Sequence, residues 1–315
     1  MNDSARAVWL LVLSLVALSP AAPAAAQEEE ALEVFNAGSL ALPFHRLLQA
    51  FEQHNPGVTT RQESSGSLAA VRKLTELGRI PDILALADRN LFPQLLQPRY
   101  TEWYATFARN AMVLAASPYV AAGDRAGRDW FDLLLAPDSR WGRADPGVDP
   151  AGYRTLMVFQ LAERHYRRPG LAARLVDRGE RRFVRPKSAD LVALLQVGEL
   201  DYAWLYSSVA RVHGLPVIDL PAAINLSDPS LADEYRWATV KIPGRSAAAA
   251  DSLEVRGSPI ELGLSIPAAA PHPDLAARFT SFVLSPEGQA ILREGGLITV
   301  DPPVVYGPPP AGAIP

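Results

Sequence analysis

The stretch that decides the fold is Val34-Phe35-Asn36-Ala37-Gly38-Ser39-Leu40. Its apolar beginning is typical of a strand, and the apolar periodicity that starts at Leu40 predicts a helix as far as His54. Gly38 and Ser39 lie between the two elements, where serine is a favourable N-cap and backbone N–H groups lack intrahelical partners. Because the N-terminus of a helix attracts negative charge, this turn is a candidate anion-binding position.

The same arrangement recurs at three later points, namely residues 64–67, residues 149–152 and Ser188. Each precedes a predicted helix, and Ser188 is predicted to cap the helix at 191–197. Alternating strands and helices predict a mostly parallel sheet, in which such turns share the carboxyl edge where ligands bind. None of these turns contains Lys or Arg, and we expect Arg72 and Lys73 to be surface or long-range charges. The pattern favours a dehydrated tetrahedral oxyanion held by neutral donors, although four well-capped helices would have the same residues.

Residues 1–26 match a secretory signal peptide. Arg6 precedes a twelve-residue apolar segment at 8–19, and small residues at 24–26 precede Gln27. The apolar segment is shorter than the roughly 20 residues that a membrane-spanning helix needs. The chain has no cysteine, so disulfides, thiolate chemistry and a lipid on an N-terminal cysteine are excluded. We therefore expect a periplasmic protein that is exported with a cleavable signal and has no lipid anchor.

The composition is that of an ordinary globular protein. The chain has 315 residues, of which 49% are hydrophobic and 20% charged, and this length is sufficient for two domains. The net charge of −4 gives no electrostatic support for a nucleic-acid partner. The arginines of residues 164–185 are predicted to form a solvated face. The proline-rich segment from Pro302 is predicted to be extended and weakly held.

Several short motifs extend from the first predicted strand almost to the end of the chain. They are Phe35-Asn36-Ala37-Gly38-Ser39-Leu40, Ser65-Gly66-Ser67, Pro81-Asp82-Ile83, Trp103-Tyr104, Asp149-Pro150-Ala151-Gly152-Tyr153-Arg154 and Ser285-Pro286-Glu287-Gly288-Gln289. In this order they resemble the tungstate/molybdate-binding proteins of ABC importers, and the archaeal-type branch of that family is the more similar one. The resemblance implies an α/β fold, the type II periplasmic binding protein, in which two α/β lobes are joined by a two-segment hinge.

The resemblance also implies the domain boundaries. Lobe one is expected at residues 31–115 and 262–300, lobe two at 116–261, and a proline-rich tail at 301–315. The two crossings between the lobes are expected near residues 114–117 and 262–266. Lobe one would then be built from both ends of the exported chain.

The ligand contacts that the resemblance implies come from several of the same turns. They are Ser39 and Ser65 through side chain and N–H, Ala151 and Ser188 through N–H, and Tyr206 through its hydroxyl. Ser67, in the same turn as Ser65, is a further candidate ligand-binding residue. The expected ligand is tungstate or molybdate, no cofactor is expected, and the expected partner is an ABC permease of the inner membrane that receives the anion from a monomeric binding protein.

Asp149 matches a carboxylate that reaches the metal of the oxyanion in the archaeal-type branch. A carboxylate about 4 Å from a dianion repels it by several kcal/mol at an effective dielectric constant near 20. Asp149 must therefore coordinate the metal, carry a proton, or turn away as the N-cap before Pro150. Only a metal that can expand its shell beyond four oxygens permits the first alternative. The family also has a glutamate just before the tyrosine, where this chain has Leu205, so the second carboxylate of the family is missing at that position.

An enzyme is not expected. No metal-binding histidine spacing, phosphate loop or dinucleotide fingerprint occurs, and the serine turn at residues 64–67 lacks the pattern of a nucleophile elbow. The five histidines are scattered; they are His45, His54, His165, His213 and His272. Two alternatives stay open: a binding protein for sulfate, thiosulfate or phosphate, and an exported α/β hydrolase that would need a base near one of the serines.

Overall fold

A computed structural model describes residues 30–179, 181–244 and 252–315, and the predicted signal peptide at 1–26 lies outside these residues. The strands are β1 Glu30–Ala37, β2 Val58–Ser65, β3 Ile83–Leu86, β4 Tyr104–Arg109, β5 Met112–Ala116, β6 Trp141–Ala144, β7 Val184–Arg185, β8 Tyr202–Tyr206, β9 Val217–Ile218, β10 Thr239–Pro243, β11 Ser252–Arg256, β12 Glu261–Ser265 and β13 Ile298–Tyr306. The first strand therefore lies where the opening motif predicts it.

The helices follow most of these strands. They are α1 Ala41–His54, α2 Ser67–Thr75, α3 Ala122–Arg125, α4 Trp130–Leu135, α5 Pro150–His165, α6 Leu171–Arg178, α7 Asp190–Gln196, α8 Ser207–Val212, α9 Ala222–Asn225, α10 Ala232–Tyr235, α11 Pro273–Leu284 and α12 Pro286–Glu294. Within the described part of the chain, no helix is both long and apolar enough to cross a membrane.

The sheet of lobe one has the order β13-β4-β12-β3-β1-β2. Strand β1 pairs in parallel with β2 and with β3, so the carboxyl ends of these three strands share one edge of the sheet. All four residues of β3 are buried, which is typical of a parallel strand covered on both faces. Strands β12 and β13 return to this sheet from the end of the chain and pair antiparallel with β4.

The sheet of lobe two has the order β7-β6-β8-β5-β9. Strands β7 and β8 both pair in parallel with β6, and β5 is antiparallel to β8. The aromatic core of this lobe lies beside the sheet: Trp204 is fully buried and its ring lies 5.3 Å from the rings of Trp130 and Phe159. Together the two sheets form the predicted two-lobed α/β fold.

The chain crosses between the lobes at residues 110–111 and 257–260, between β4 and β5 and between β11 and β12. Asn110 holds the first crossing, because its amide donates to Ser208 Oγ at 2.7 Å and accepts from Ser207 Oγ at 3.0 Å. At the second crossing a Cβ on Gly257 would lie 2.0 Å from the carbonyl oxygen of Tyr235, so only glycine fits.

The expected crossings at 114–117 and 262–266 differ from these positions. Residues 114–116 lie within β5 and belong to the sheet of lobe two, and residues 262–265 lie within β12 of lobe one. Both expected segments are apolar runs, and the chain changes lobes just before each run begins. The expected boundaries of lobe one at 115 and of lobe two at 261 therefore lie a few residues too late.

The end of the chain also differs from its prediction as a weakly held tail from residue 301. Residues 301–306 are part of β13, the edge strand of lobe one. Tyr306 stacks on Tyr104 with 4.6 Å between the ring centroids, and Tyr104 stacks in turn on Phe92 at 5.3 Å. Because prolines are tolerated on an edge strand, Pro302 and Pro303 do not prevent this pairing.

Candidate functional site

The carboxyl ends of the parallel strands of both lobes meet in the cleft between them. The N–H of Leu68 in lobe one donates to the carbonyl oxygen of Val148 in lobe two at 3.0 Å. A Cβ on Gly66 would lie only 2.4 Å from that same oxygen, so the serine turn at 64–67 can approach lobe two only through a glycine. The side chain of Lys187 packs against Gly38, which brings the turns of Ser39 and Ser188 to the same place.

Ser39 and Ser188 are buried in this cleft with unused hydroxyl groups. Ser39 is 6% exposed and Ser188 is fully buried, and neither Oγ has a hydrogen-bond partner among the described residues. The prediction that both serines cap helices is wrong. Leu40 is the N-cap of α1 and Ala189 that of α7, because a short turn separates each serine from its helix. Buried polar groups normally have partners, so these two hydroxyls are available for a ligand.

Ser65 and Ser67 lie on either side of Gly66 and have different partners. Ser65 Oγ accepts a hydrogen bond from Lys73 Nζ at 3.0 Å. Ser67 begins α2, and its Oγ accepts from the N–H of Ala87 at 3.0 Å, which ties the helix to the end of β3. Ser65 is half-buried in the cleft, whereas Ser67 is fully buried within lobe one.

Lys73 differs from the prediction of a surface charge. Its side chain is only 17% exposed, and Nζ also lies 2.6 Å from Glu63 Oε1. Arg79 and Lys73 together lower the pKa of the Glu63 carboxyl. The lysine is thus a paired cation directly behind a predicted ligand-binding residue.

Asp149 caps α5, as its position before Pro150 predicts. Its Oδ1 accepts from the N–H of Ala151 at 2.8 Å, and its Oδ2 accepts from the N–H of Ser188 at 3.1 Å. These are the same two amides that the resemblance implies as ligand contacts, so the carboxylate holds the donors that an oxyanion would use. Direct coordination of a metal by Asp149 stays a prediction.

The burial of Asp149 has an electrostatic consequence. The side chain is 3% exposed, and loss of solvation raises the pKa of its carboxyl to about 6. The two backbone amides and the nearby Arg154 oppose this rise but do not cancel it. Asp149 is therefore a carboxylate that accepts a proton in the mildly acidic range.

Tyr206 ends β8 and joins a cluster of four buried residues, the Arg154 cluster, which consists of Asp88, Tyr153, Arg154 and Tyr206. Arg154 Nη1 donates to Tyr206 Oη at 2.6 Å, and Arg154 Nη2 lies 3.2 Å from Asp88 Oδ2. Tyr153 Oη donates to the same carboxylate oxygen at 2.5 Å. Asp88 follows β3 of lobe one and the other three residues belong to lobe two, so the cluster joins the lobes.

Sequence reasoning missed the roles of Asp88, Tyr153 and Arg154. A signal was present, because Arg154 lies within a run of buried residues in α5 and a buried charge requires a partner. The partner was not identifiable, since Asp88 lies 66 positions earlier on another lobe. The expectation of a ligand site without cations is wrong. Arg154 contacts Tyr206, and Lys73, which lies outside the Arg154 cluster, contacts Ser65.

A cavity of about 390 Å³ opens beside Ser39 between α1 of lobe one and α8 of lobe two. Its wall includes His45 and His213, but no hydrogen bond joins either histidine to Ser39 in the described structure. Among the described residues no group of three or more His, Cys, Asp or Glu side chains is arranged to hold a metal ion. Leu205 is fully buried opposite Val113 in the sheet, where it supplies no carboxylate.

Comparisons with known proteins give a consistent result. Residues 32–298 match the family model described as bacterial extracellular solute-binding protein. An uncharacterized solute-binding protein of Petrotoga mobilis is 41% identical over 271 residues, which cover 86% of this chain and 84% of the relative. A molybdate/tungstate-binding protein, WtpA, of Pyrococcus abyssi is 35% identical over 308 residues, which cover 89% of this chain and 88% of the relative.

Solved structures support the fold. The periplasmic molybdate-binding protein of Azotobacter vinelandii has a TM-score of 0.55 at 17% identity and covers 85% of this chain and 98% of its own. The sulfate-binding protein SubI of Mycobacterium tuberculosis has a TM-score of 0.58 at 14% identity, and the match covers 87% of this chain and 88% of SubI. At these identities the likeness concerns the two-lobed fold alone.

Proposed function

Because the chain belongs to the bacterial extracellular solute-binding protein family, we propose that it captures tungstate or molybdate in the cleft between its lobes and delivers it to an ABC importer. The relatives named as molybdate/tungstate-binding proteins, which share 35% identity with this chain, support the choice of anion. The family and its named relatives are solute-binding proteins rather than enzymes, and we propose no catalytic step and no cofactor.

The observation that carries this proposal is the pair of buried, unpartnered hydroxyls of Ser39 and Ser188. They come from opposite lobes, and each follows a parallel strand at its carboxyl end. A tetrahedral oxyanion has oxygens on all sides, so it can accept from both hydroxyls at once and hold the lobes together. Such an anion binds the closed arrangement better than an open one, which is the thermodynamic requirement for closure on binding.

Export, location and partner form the second part of the proposal. We propose that residues 1–26 direct export and are removed, that the chain acts as a monomer in the periplasm, and that an inner-membrane permease receives the anion. Calorimetric titration of the chain from Gln27 onward with tungstate, molybdate and sulfate tests the choice of anion. Tight binding of sulfate with weak binding of both metal oxyanions would contradict it.

The predicted contacts are tested by Ser39→Ala and Ser188→Ala. A hydrogen bond to a charged group contributes about 1.5 to 3 kcal/mol, so each substitution should weaken tungstate binding roughly tenfold or more. Ser139→Ala is the matched control, because its hydroxyl is also buried and without a partner among the described residues. Ser139 precedes β6, at the edge of the sheet opposite the cleft, so its removal should leave the affinity unchanged.

Coordination by Asp149 is tested separately by X-ray absorption at the tungsten edge of the bound anion. A carboxylate ligand would expand the four-oxygen shell, and Asp149→Asn would reverse the expansion. A four-oxygen shell in both proteins would leave Asp149 as a cap only. Small-angle scattering completes the test, since we expect compaction on addition of tungstate and unchanged dimensions would argue against hinge closure.

A further inference from the structure

The hydroxyl of Tyr206 is a buried donor with no acceptor. Tyr206 is 1% exposed, and its Oη accepts from Arg154 Nη1 at 2.6 Å. A guanidinium has donors only, so Arg154 cannot receive the hydroxyl hydrogen in return. No other described group forms a hydrogen bond with this hydroxyl. Burial raises the pKa of Tyr206, so the hydrogen is retained at neutral pH.

Arg154 is held in place from the opposite lobe. Its Nη1 also donates to the carbonyl oxygen of Ala87 at 2.7 Å, and its Nη2 lies 3.2 Å from Asp88 Oδ2. Both acceptors follow β3 of lobe one, whereas Arg154 and Tyr206 belong to lobe two. The Arg154 side chain is 2% exposed and its Nη1 donates to both Ala87 and Tyr206, which leaves the guanidinium little freedom to rotate.

We infer that Arg154 is a positioning residue for anion binding, which orients the Tyr206 hydroxyl hydrogen towards the oxyanion while lobe one holds the guanidinium in place. This inference rests on the proposed function, and it adds a role for a residue that does not itself touch the ligand. When the lobes separate, Arg154 loses Ala87 and Asp88 and no longer fixes the hydroxyl. The donor is therefore oriented only in the closed arrangement, which adds to the preference of the anion for that state.

A double-mutant cycle on tungstate affinity, measured by calorimetry, tests the inference. The variants are Tyr206→Phe, Arg154→Gln and the two combined. Glutamine offers an acceptor that can take the Tyr206 hydrogen away from the anion, so we expect each single substitution to weaken binding at least tenfold. Arg154→Gln should cost at least five times less in affinity when residue 206 is already phenylalanine. Equal factors in both backgrounds would overturn the inference.

Arg154→Lys separates orientation from structure. Lysine loses the planar fork but has no acceptor, so an orienting role predicts that it retains most of the affinity that Arg154→Gln loses. Equal losses for the two variants would overturn the inference. Tyr235→Phe is the matched control for Tyr206→Phe, because Tyr235 is also fully buried in lobe two but donates to the carbonyl oxygen of Ala222. The Tyr235→Phe variant should bind tungstate with the same affinity as the unsubstituted chain.

A measurement that needs no substitution of Arg154 covers the case in which those variants fail to fold. The hydroxyl proton of Tyr206, identified by NMR through its absence in Tyr206→Phe, should shift downfield on addition of tungstate. An unchanged resonance at saturation would overturn the inference while leaving the proposed function intact. Failure of the unsubstituted chain to bind tungstate, molybdate or sulfate would overturn the proposed function itself.

Discussion

Two buried aspartates lie at strand ends in the cleft, and their surroundings differ in charge. Asp88 of lobe one meets the guanidinium of Arg154 and the hydroxyl of Tyr153, both from the other lobe. The Asp149 carboxylate of lobe two forms no ion pair in the described structure, and it accepts its hydrogen bonds from the neutral amides of Ala151 and Ser188 in its own lobe. Asp88 is 2% exposed and Asp149 is 3% exposed, so the two carboxylates differ in the groups around them and not in their burial.

The comparison shows that the two lobes use a carboxylate in different ways. The charge of Asp88 is compensated only while the lobes are together, so this pair belongs to the closed arrangement. The hydrogen bonds of Asp149 do not depend on the other lobe, and its carboxylate occupies the amides that the proposed anion needs. An anion that binds these amides must displace the carboxylate or share the site with it. The predictions below test each half of this comparison.

The largest effect is expected for Asp88→Ala. The substitution leaves Arg154 buried without its ionic partner, and breaking a buried pair in this way costs about 3 to 5 kcal/mol of the free energy of unfolding. Asp233→Ala is the control, because Asp233 pairs with Arg236 and both side chains are largely exposed, and such pairs contribute about 1 kcal/mol or less. Urea unfolding of both variants measures the difference, and similar losses would mean that the buried pair has no special role.

The next effect is a pH dependence that belongs to Asp149. Its pKa of about 6 in the folded chain exceeds the ordinary 3.8, so the folded chain holds the proton more tightly than the unfolded chain. The stabilisation is therefore complete below the ordinary pKa and is lost as the pH rises through about 6, by at most about 3 kcal/mol. Asp149→Ser keeps a capping oxygen but does not titrate, so unfolding at pH 4.5 and 7.5 should show a weaker pH dependence. Equal slopes in the two proteins would show that Asp149 does not titrate in this range.

A smaller loss is expected for Tyr153→Phe. It removes one donor to the Asp88 carboxylate but leaves Arg154, and a hydrogen bond to a charged group contributes about 2 kcal/mol. Tyr100→Phe removes a single donor to a neutral carbonyl, that of Thr75, and should cost about 1 kcal/mol. Thermal unfolding of both variants gives the comparison. A smaller loss for Tyr153→Phe than for Tyr100→Phe would indicate that Asp88 needs only the arginine.

The smallest effect concerns Lys73, which contacts Ser65 as Arg154 contacts Tyr206. Lys73→Met keeps the carbon stem and removes the charge, and since this cation is already paired with Glu63 we expect tungstate affinity to fall only about threefold. The difference should shrink as salt is raised towards about 0.5 M, because charge interactions are then screened. Lys241→Met, at an exposed position of β10, is the control. A salt-independent loss would indicate a packing role instead.

The strand ends that carry the candidate site were predictable, because alternating apolar and serine-rich segments specify where parallel strands stop. The Asp149 cap was predictable for the same reason, since the residue and the proline after it form a local signal. Ser39 and Ser188 were assigned as caps incorrectly, because a capping serine and a serine one turn before a helix look alike in sequence. Ser39 and Ser188 differ from capping serines in their burial and in their free hydroxyls. Both properties depend on the opposite lobe.

Long-range pairing was not predictable. Arg154 has three partners from two distant segments, and nothing local to α5 indicates which acceptors will surround it. The contact of Lys73 with Ser65 arises because α2 folds back beside β2, which the helix periodicity does not specify. The strand at residues 298–306 was hidden by its prolines, which argue against a strand unless it lies at the edge of a sheet.

The strand order of lobe one has a consequence for the order in which the two lobes can be completed. Strand β12 lies between β3 and β4, so a nascent chain that ends before residue 261 leaves β4 without either of its neighbours. The strands of lobe two, in contrast, are contiguous from residue 112 to 218 and need nothing from the end of the chain. The sheet of lobe two is therefore complete by residue 218, whereas the sheet of lobe one, on the other side of the cleft, needs strands from the last part of the chain.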